Sequence, residues 1–245
     1  LNFRAALVRP PGPTFALGIT TSALGPPDLA VATAQHAAYC DALRACGLDV
    51  LALPPDPDFP DATFVEDVVV VSEGMAVLCR PGADARRGEV DRVIGPWLDR
   101  FERVYRLDAG TLDGGDVCLA GGRLRVGLSD RTSRAGAEQL ARFLDRPLEL
   151  IDIRPLGLLH LKTGLSALHL CDVAIEGLGD GDVIRVDPED GYAANLVQIG
   201  RYVVLPTGRP RVRDAVAARG YLPVEVDLSE FEKMDGGVSC LSVRF

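Results

Sequence analysis

The sequence contains no run of eighteen apolar residues, no block of lysine and arginine, no paired-cysteine motif and no glycine-rich dinucleotide fingerprint. Without a long apolar run, no membrane-spanning helix is expected. Without clustered cations, a net charge of −9 over 245 residues offers little to a nucleic-acid backbone and instead suits small cationic ligands. The six cysteines, Cys40, Cys46, Cys79, Cys118, Cys171 and Cys240, include no C-x-x-C pair. Neither a disulfide framework nor a zinc site is therefore expected, and scattered free thiols fit a reducing, cytoplasmic setting. The lack of G-x-G-x-x-G argues against a Rossmann domain, and the lack of D-x-D-x-D-G against a calcium loop. Residues 1–11 have no long apolar core of the signal-peptide kind and read as the approach to a first strand.

The chain does have ordinary globular material, 47% apolar and 25% charged. That is enough for one large domain or two small ones, and with no low-complexity linker a single domain over 1–245 is expected. Short β-branched or apolar segments run from Ala5–Val8 to Ser239–Val243, with Val68–Val71, Ala76–Cys79 and Asn195–Ile199 among them. Helical patterns fall at Leu29–Cys46, Arg86–Arg100, Arg131–Leu144 and Arg211–Arg219. The order strand, strand, helix, strand recurs about once per fifty residues, which points to repeated α/β units arranged about an axis.

Chemistry can be sought in few places. Cys240 follows Gly236-Gly237 near the end of the chain. It reads either as a small apolar residue on a terminal strand or as a displayed nucleophile. A thiol nucleophile needs a proton carrier, and only His36, His160 and His169 are available. His36 lies in a helical pattern and His169 in an apolar strand. His160 lies where an apolar segment opens into a loop, the better position for a functional group. Carboxylates cluster at Asp61, Glu66 and Asp67 ahead of a buried strand, and at Asp113 and Asp116 around a Gly-Gly turn. Either cluster reads as solvated loop chemistry, or as a cation site and an orienting carboxylate for a histidine. Arginines follow two strands, at Arg80, Arg86, Arg87 and Arg131. Acids at one end of a pocket and arginines at the other would suit an amino acid with a cationic side chain. Singly, each arginine reads as a surface ion pair.

Taken together, Phe59-Pro60-Asp61-Ala62-Thr63-Phe64-Val65-Glu66-Asp67, Arg80-Pro81-Gly82-Ala83 with Arg86-Arg87, Leu112-Asp113-Gly114-Gly115-Asp116, Leu159-His160-Leu161-Lys162-Thr163-Gly164 and Asp235-Gly236-Gly237-Val238-Ser239-Cys240 resemble the dimethylarginine dimethylaminohydrolase family in its short bacterial form. The resemblance covers nearly the whole chain and implies a pentein, a five-bladed α/β propeller built from ββαβ units. It implies Cys240 as nucleophile, His160 as general acid and base, and Asp113 as the carboxylate that orients it. It implies Glu66 and Asp67 for the guanidinium, Asp61 to support that region or to meet the amine, Arg86 and Arg131 for the α-carboxylate, and the Met234 backbone for the ammonium. Ile19 would form a lid wall, and Leu17 stands where an aspartate is more usual. No metal or organic cofactor and no nucleic-acid or membrane partner is implied, and a homodimer is expected. An arginine or agmatine deiminase and a non-catalytic ribosome-binding pentein are the competing readings. A thiol of near-normal acidity is expected in the free protein. A bound guanidinium ~4 Å away, at an effective dielectric of ~20, would favour the thiolate by about 4 kcal/mol, or roughly 3 pKa units.

Overall fold

The computed structural model describes residues 3–120 and 122–245, so the first two residues of the N-terminal stretch lie outside the described residues. The alternation of apolar hairpins and helical crossovers produces five three-stranded sheets, each with one antiparallel and one parallel pairing. The first unit contains β1 (Ala5–Val8), α1 (Leu29–Ala45) and β2 (Asp49–Ala52), its two strands parallel. Asp28 caps α1 by accepting from the Ala30 and Val31 amides.

The second unit contains β3 (Val69–Ser72), β4 (Met75–Leu78), α2 (Glu89–Arg92) and β5 (Arg103–Arg106). The third contains β6 (Val117–Ala120), β7 (Arg123–Leu128), α3 (Arg134–Leu144) and β8 (Leu148–Asp152). The fourth begins with α4 (Leu161–Gly164) and joins β9 (Leu165–Ala167), β10 (Asp172–Ala174) and β11 (Val183–Arg185), with no α-helix between its last two strands. The fifth contains β12 (Val197–Ile199), β13 (Tyr202–Pro206), α5 (Pro210–Ala218) and β14 (Leu222–Val226). After α6 (Ser229–Glu232), β15 (Val243–Arg244) pairs antiparallel with β1 and completes the first sheet.

This is the five-bladed α/β propeller that the family resemblance implies, and it agrees with α/β units repeated about an axis. Its apolar interior is divided among the contacts between blades. One cluster joins Leu7 and Val243 to Val68 and Trp97, and another joins Val77 to Val126 and Leu140. Among the described residues, no helix is long and apolar enough to cross a membrane.

The first strands of the sheets, β3, β6, β9, β12 and β15, line a cavity of about 520 Å³. Each is preceded by a short helical turn: Val65–Val68, Gly114–Asp116, α4, Pro188–Ala194 and Ser239–Leu241. The Val65–Val68 turn touches those at Gly114–Asp116 and Ser239–Leu241, and α4 touches those at Gly114–Asp116 and Pro188–Ala194. The polar motifs of the sequence therefore meet at one end of the axis.

Three expectations need correction. Ser239–Val243 is not a strand: its first three residues form a 3-10 turn, and only Val243–Arg244 pairs. The expected helix Arg86–Arg100 is broken into Asp84–Arg86, α2 and Pro96–Arg100, with Gly88 and the Gly95-Pro96 pair at the breaks. Strand β5 escaped the apolar pattern because it is an exposed third strand that begins and ends with arginine.

Candidate active site

Cys240 is the middle residue of its 3-10 turn and only 9% exposed. The Gly237 N–H donates to its sulfur at 3.4 Å. The two glycines before it are required by close approach. A Cβ on Gly236 would lie 2.2 Å from Phe64 Cε1, and one on Gly237 would lie 2.5 Å from Asn195 Cγ. The sharp backbone bend falls one residue earlier, at Asp235, with φ 56°.

His160 is the extended residue that leads into α4. Its Nε2 lies 3.0 Å from Asp113 Oδ2, and its Nδ1 lies 3.8 Å from Asp67 Oδ1. Asp113 is fully buried and is held by the Gly82 N–H at 2.9 Å. Asp116 lies beneath the same histidine segment, accepting from the Leu161 amide at 2.8 Å and the Ser129 hydroxyl at 2.6 Å. The two acids around Gly114-Gly115 thus divide the work: one meets the imidazole and the other ties down its backbone.

Glu66 and Asp67 occupy a helical turn, so adjacent acids point in different directions. Asp67 faces the pocket, accepting from the Gly115 amide at 3.1 Å and from Arg86 Nη1 at 2.5 Å. Glu66 turns toward the axial cavity. There it takes Lys162 Nζ at 2.8 Å, Arg244 Nη2 at 2.9 Å and Ser239 Oγ at 2.6 Å. Its carboxylate oxygens are committed on the axial side, so of the two adjacent acids only Asp67 lines the pocket with Cys240 and His160.

Arg86 departs from expectation in a similar way. It is buried, and each nitrogen of its guanidinium is already bonded: Nε and Nη2 to Glu89, Nη1 to Asp67, and Nη2 also to the Asp61 and Phe64 carbonyls. It fixes Asp67 instead of standing free for a carboxylate. Arg131 lines the pocket and forms no ion pair among the described residues, which leaves it available.

Asp61 accepts from the Ile19 amide at 3.1 Å, and the loop around Ile19 is fastened further by Thr21 N to Asp235 Oδ2 at 2.6 Å. One pocket of about 30 Å³ is lined by Ile19, Asp61, Asp67, Arg86, Arg131, His160, Met234 and Cys240, eight of the ten residues singled out in the sequence. Asp113 stands behind His160, and Glu66 faces the other way. That volume is near that of one water molecule. Leu17, at the neighbouring turn, is 76% exposed and free of that packing.

The electrostatics give these groups different resting states. Burial, with Glu66 and Asp67 adding to it, pushes the Cys240 thiol up to about 12. The expectation of near-normal acidity is therefore revised: the sulfur lies among carboxylates and away from water. Burial works against charge on His160, but Asp67, Asp113 and Asp116 outweigh it and raise the imidazole to about 9. These directions favour the thiol form of Cys240 and the imidazolium form of His160, two groups that line the same pocket. Burial alone would raise Glu66, but Lys162, Arg244 and Ser239 bring it below the usual range. Burial raises Asp61. Donor atoms of Asp67, Asp113 and His160 lie within 4.8 Å of one another, a grouping that could hold a cation. The positive charge there is that of the imidazolium and of Arg86 against Asp67.

Across nearly its whole length the chain is similar to dimethylarginine dimethylaminohydrolase of Pseudomonas aeruginosa, with 40% identity covering 99% of this chain and 100% of that protein. The chain belongs to the dimethylarginine dimethylaminohydrolase family. A second member, from Streptomyces coelicolor, is 36% identical, covering 98% of this chain and 96% of its own length. A solved structure of the Pseudomonas aeruginosa dimethylarginine dimethylaminohydrolase, a cysteine-to-serine variant complexed with citrulline, superposes with a TM-score of 0.95 at 38% identity and 100% coverage of both chains. No protein-family model matches the chain.

Within this site the sequence pattern assigned no role to Glu89, Ser239 or Asn195. Glu89 lies three residues after Arg86 outside any quoted motif, and Ser239 lies in the Cys240 motif with nothing to mark it. Asn195 had a signal in its place, directly ahead of the first strand of the fifth unit, where the other units supply their polar groups.

Proposed function

We propose that the protein hydrolyses Nω-methylated arginines, both asymmetric dimethylarginine and monomethylarginine, to citrulline and di- or monomethylamine. In this reading 1–245 is one catalytic unit with Cys240 as nucleophile. The observation that carries it is the convergence of Cys240, His160 and Asp67 on one pocket, in a chain of this family.

The substrate guanidinium lies against Asp67, whose other contacts fix its orientation, and its amine faces Asp61 and the Met234 backbone. Arg131 takes the α-carboxylate. Arg86 acts one step back, through Asp67, and Glu66 holds the turn that carries Cys240. Guanidinium carbon is a poor electrophile, so its plane must be held against the sulfur. The incoming cation also makes the nucleophile: ~4 kcal/mol of attraction at ~4 Å removes about 3 of the units by which a thiol near 12 exceeds neutrality.

As the substrate binds, the thiol releases its proton to solvent, and the thiolate adds to the guanidinium carbon. The His160 imidazolium gives its proton to the departing amine nitrogen, and the C–N bond breaks. An S-alkylthiouronium cation remains. Neutral His160 takes a proton from water as the hydroxide adds to the same carbon. The C–S bond then breaks, the hydroxyl proton returns to sulfur, and citrulline leaves. One histidine serves both halves in opposite protonation states. This chemistry calls for no metal or cofactor.

The test is which amine is released. Methylamines support the reading, whereas ammonia from arginine as the preferred reaction would replace it with a deiminase. Arg131→Ala is expected to raise KM for dimethylarginine about 10- to 100-fold, the effect of losing a charge-assisted hydrogen bond. It should leave a decarboxylated analogue unaffected, and equal effects on both would remove the clamp. Free buried thiols support a cytoplasmic setting. The homodimer rests on the family resemblance, and sedimentation should then report about twice the 26.1 kDa chain mass.

A further inference from the structure

Four of the five turns at the end of the axis carry a group already given a role: Asp67, Asp113 with Asp116, the segment led by His160, and Cys240. The fifth turn, Pro188–Ala194, ends at Asn195, a buried residue with its side chain turned inward. Its Oδ1 accepts from the Ser239 N–H at 2.8 Å, and its Nδ2 donates to Ser239 Oγ and to the Lys162 carbonyl, both at 3.0 Å. Ser239 immediately precedes Cys240, and Lys162 follows His160 by two residues. One side-chain amide therefore ties the backbone carrying the thiol to the backbone carrying the imidazole. Chain connectivity does not make this link, because the two segments lie on different blades.

We propose that Asn195 is a positioning residue that sets the distance between Cys240 and His160. The inference rests on the assignment of those two residues to catalysis. An amide suits the place because it is short, uncharged and able to donate and accept together. A carboxylate could keep the bond from the Ser239 N–H but would lose both donations. It would also lie one hydroxyl away from Glu66, which already accepts from Ser239 Oγ at 2.6 Å. The fit is tight, since a Cβ on Gly237 would meet the Asn195 amide carbon at 2.5 Å. A displacement of about 1 Å between reacting groups can cost on the order of 10²-fold in rate.

The experiment compares wild type, Asn195→Asp, Asn195→Ala and Asn195→Gln with dimethylarginine as substrate. Steady-state kinetics, thermal unfolding and intact mass after rapid quench are read on each. For the Asn195 variants, kcat is expected to fall about 10- to 100-fold with KM within about 3-fold, and adduct formation at Cys240 should slow in proportion. A lower unfolding temperature with unchanged kcat per folded molecule would make Asn195 structural and overturn the proposal. If neither Asn195→Asp nor Asn195→Ala folds, Asn195→Gln decides, since it keeps the amide and lengthens the tie by one methylene. Slower adduct formation at Cys240 per folded molecule supports the proposal, and an unchanged rate overturns it. Should wild type turn over without any adduct at Cys240, the catalytic assignment itself fails, whatever the variants do.

Discussion

Replacing Cys240 by serine is expected to remove turnover, by roughly 10⁴-fold or more, while dimethylarginine still binds within a few-fold of its wild-type affinity. The asymmetry follows from the site. The polar groups proposed to hold the substrate, Asp61, Asp67 and Arg131, do not depend on sulfur, and oxygen keeps nearly the same volume. A serine hydroxyl is far less acidic than a thiol. Even a thiol near 12 needs the guanidinium to ionise, and one cation cannot bring a hydroxyl into range. Isothermal titration and product assay on the same preparation check both halves. Substantial residual turnover would show that another group attacks. Wild type offers a companion measurement in the labelling of Cys240. Neutral iodoacetamide should label it slowly at pH 7 and faster toward pH 12, whereas a cationic haloamidine should react at neutral pH.

Asp113→Asn is expected to lower kcat by about 10²- to 10⁴-fold and to move the alkaline limb of the pH profile to lower pH. Asp113 is fully buried and its Oδ2 meets His160 Nε2, so the amide keeps the shape and loses the charge. The imidazole near 9 lies above the ordinary value of 6.5, so its charged form is favoured by the fold. That contribution to stability is complete below about pH 6.5 and is lost as pH rises through about 9. The group proposed as general acid for amine departure loses its proton over the same upper range. Without Asp113 the charges of Asp67 and Asp116 remain, so the limb should move only part of the way back. Activity plotted against pH for both proteins checks this. An unmoved limb would mean that the titration belongs to another group.

The revised roles of Arg86 and Glu66 show why like residues in one motif need not do like work. From sequence, both arginines could clamp a carboxylate and both adjacent acids could hold a guanidinium. In the folded protein a buried arginine has to be fully paired, and Glu89 with Asp67 pairs it. A helical turn instead of a strand separates the directions of Glu66 and Asp67, and Lys162 and Arg244 then claim Glu66. Neither Lys162 nor Arg244 lies within the Glu66-Asp67 motif itself.

The sequence by itself determined the repeat of α/β units and the short set of residues able to do chemistry, and the propeller class followed from the family resemblance of its motifs. Hairpins, turns and scarce histidines are local, and their patterns survive without neighbours. It also singled out Cys240, although for an incomplete reason, since glycine is needed there to admit Phe64 and Asn195. Only the tertiary structure decided which candidates face the pocket, the protonation state of the thiol–imidazole pair and the place of Asn195. Those properties depend on burial and on charges brought together from five blades, with the first blade completed by pairing of β1 with β15. Long-range packing sets them, and no window of neighbouring residues contains it.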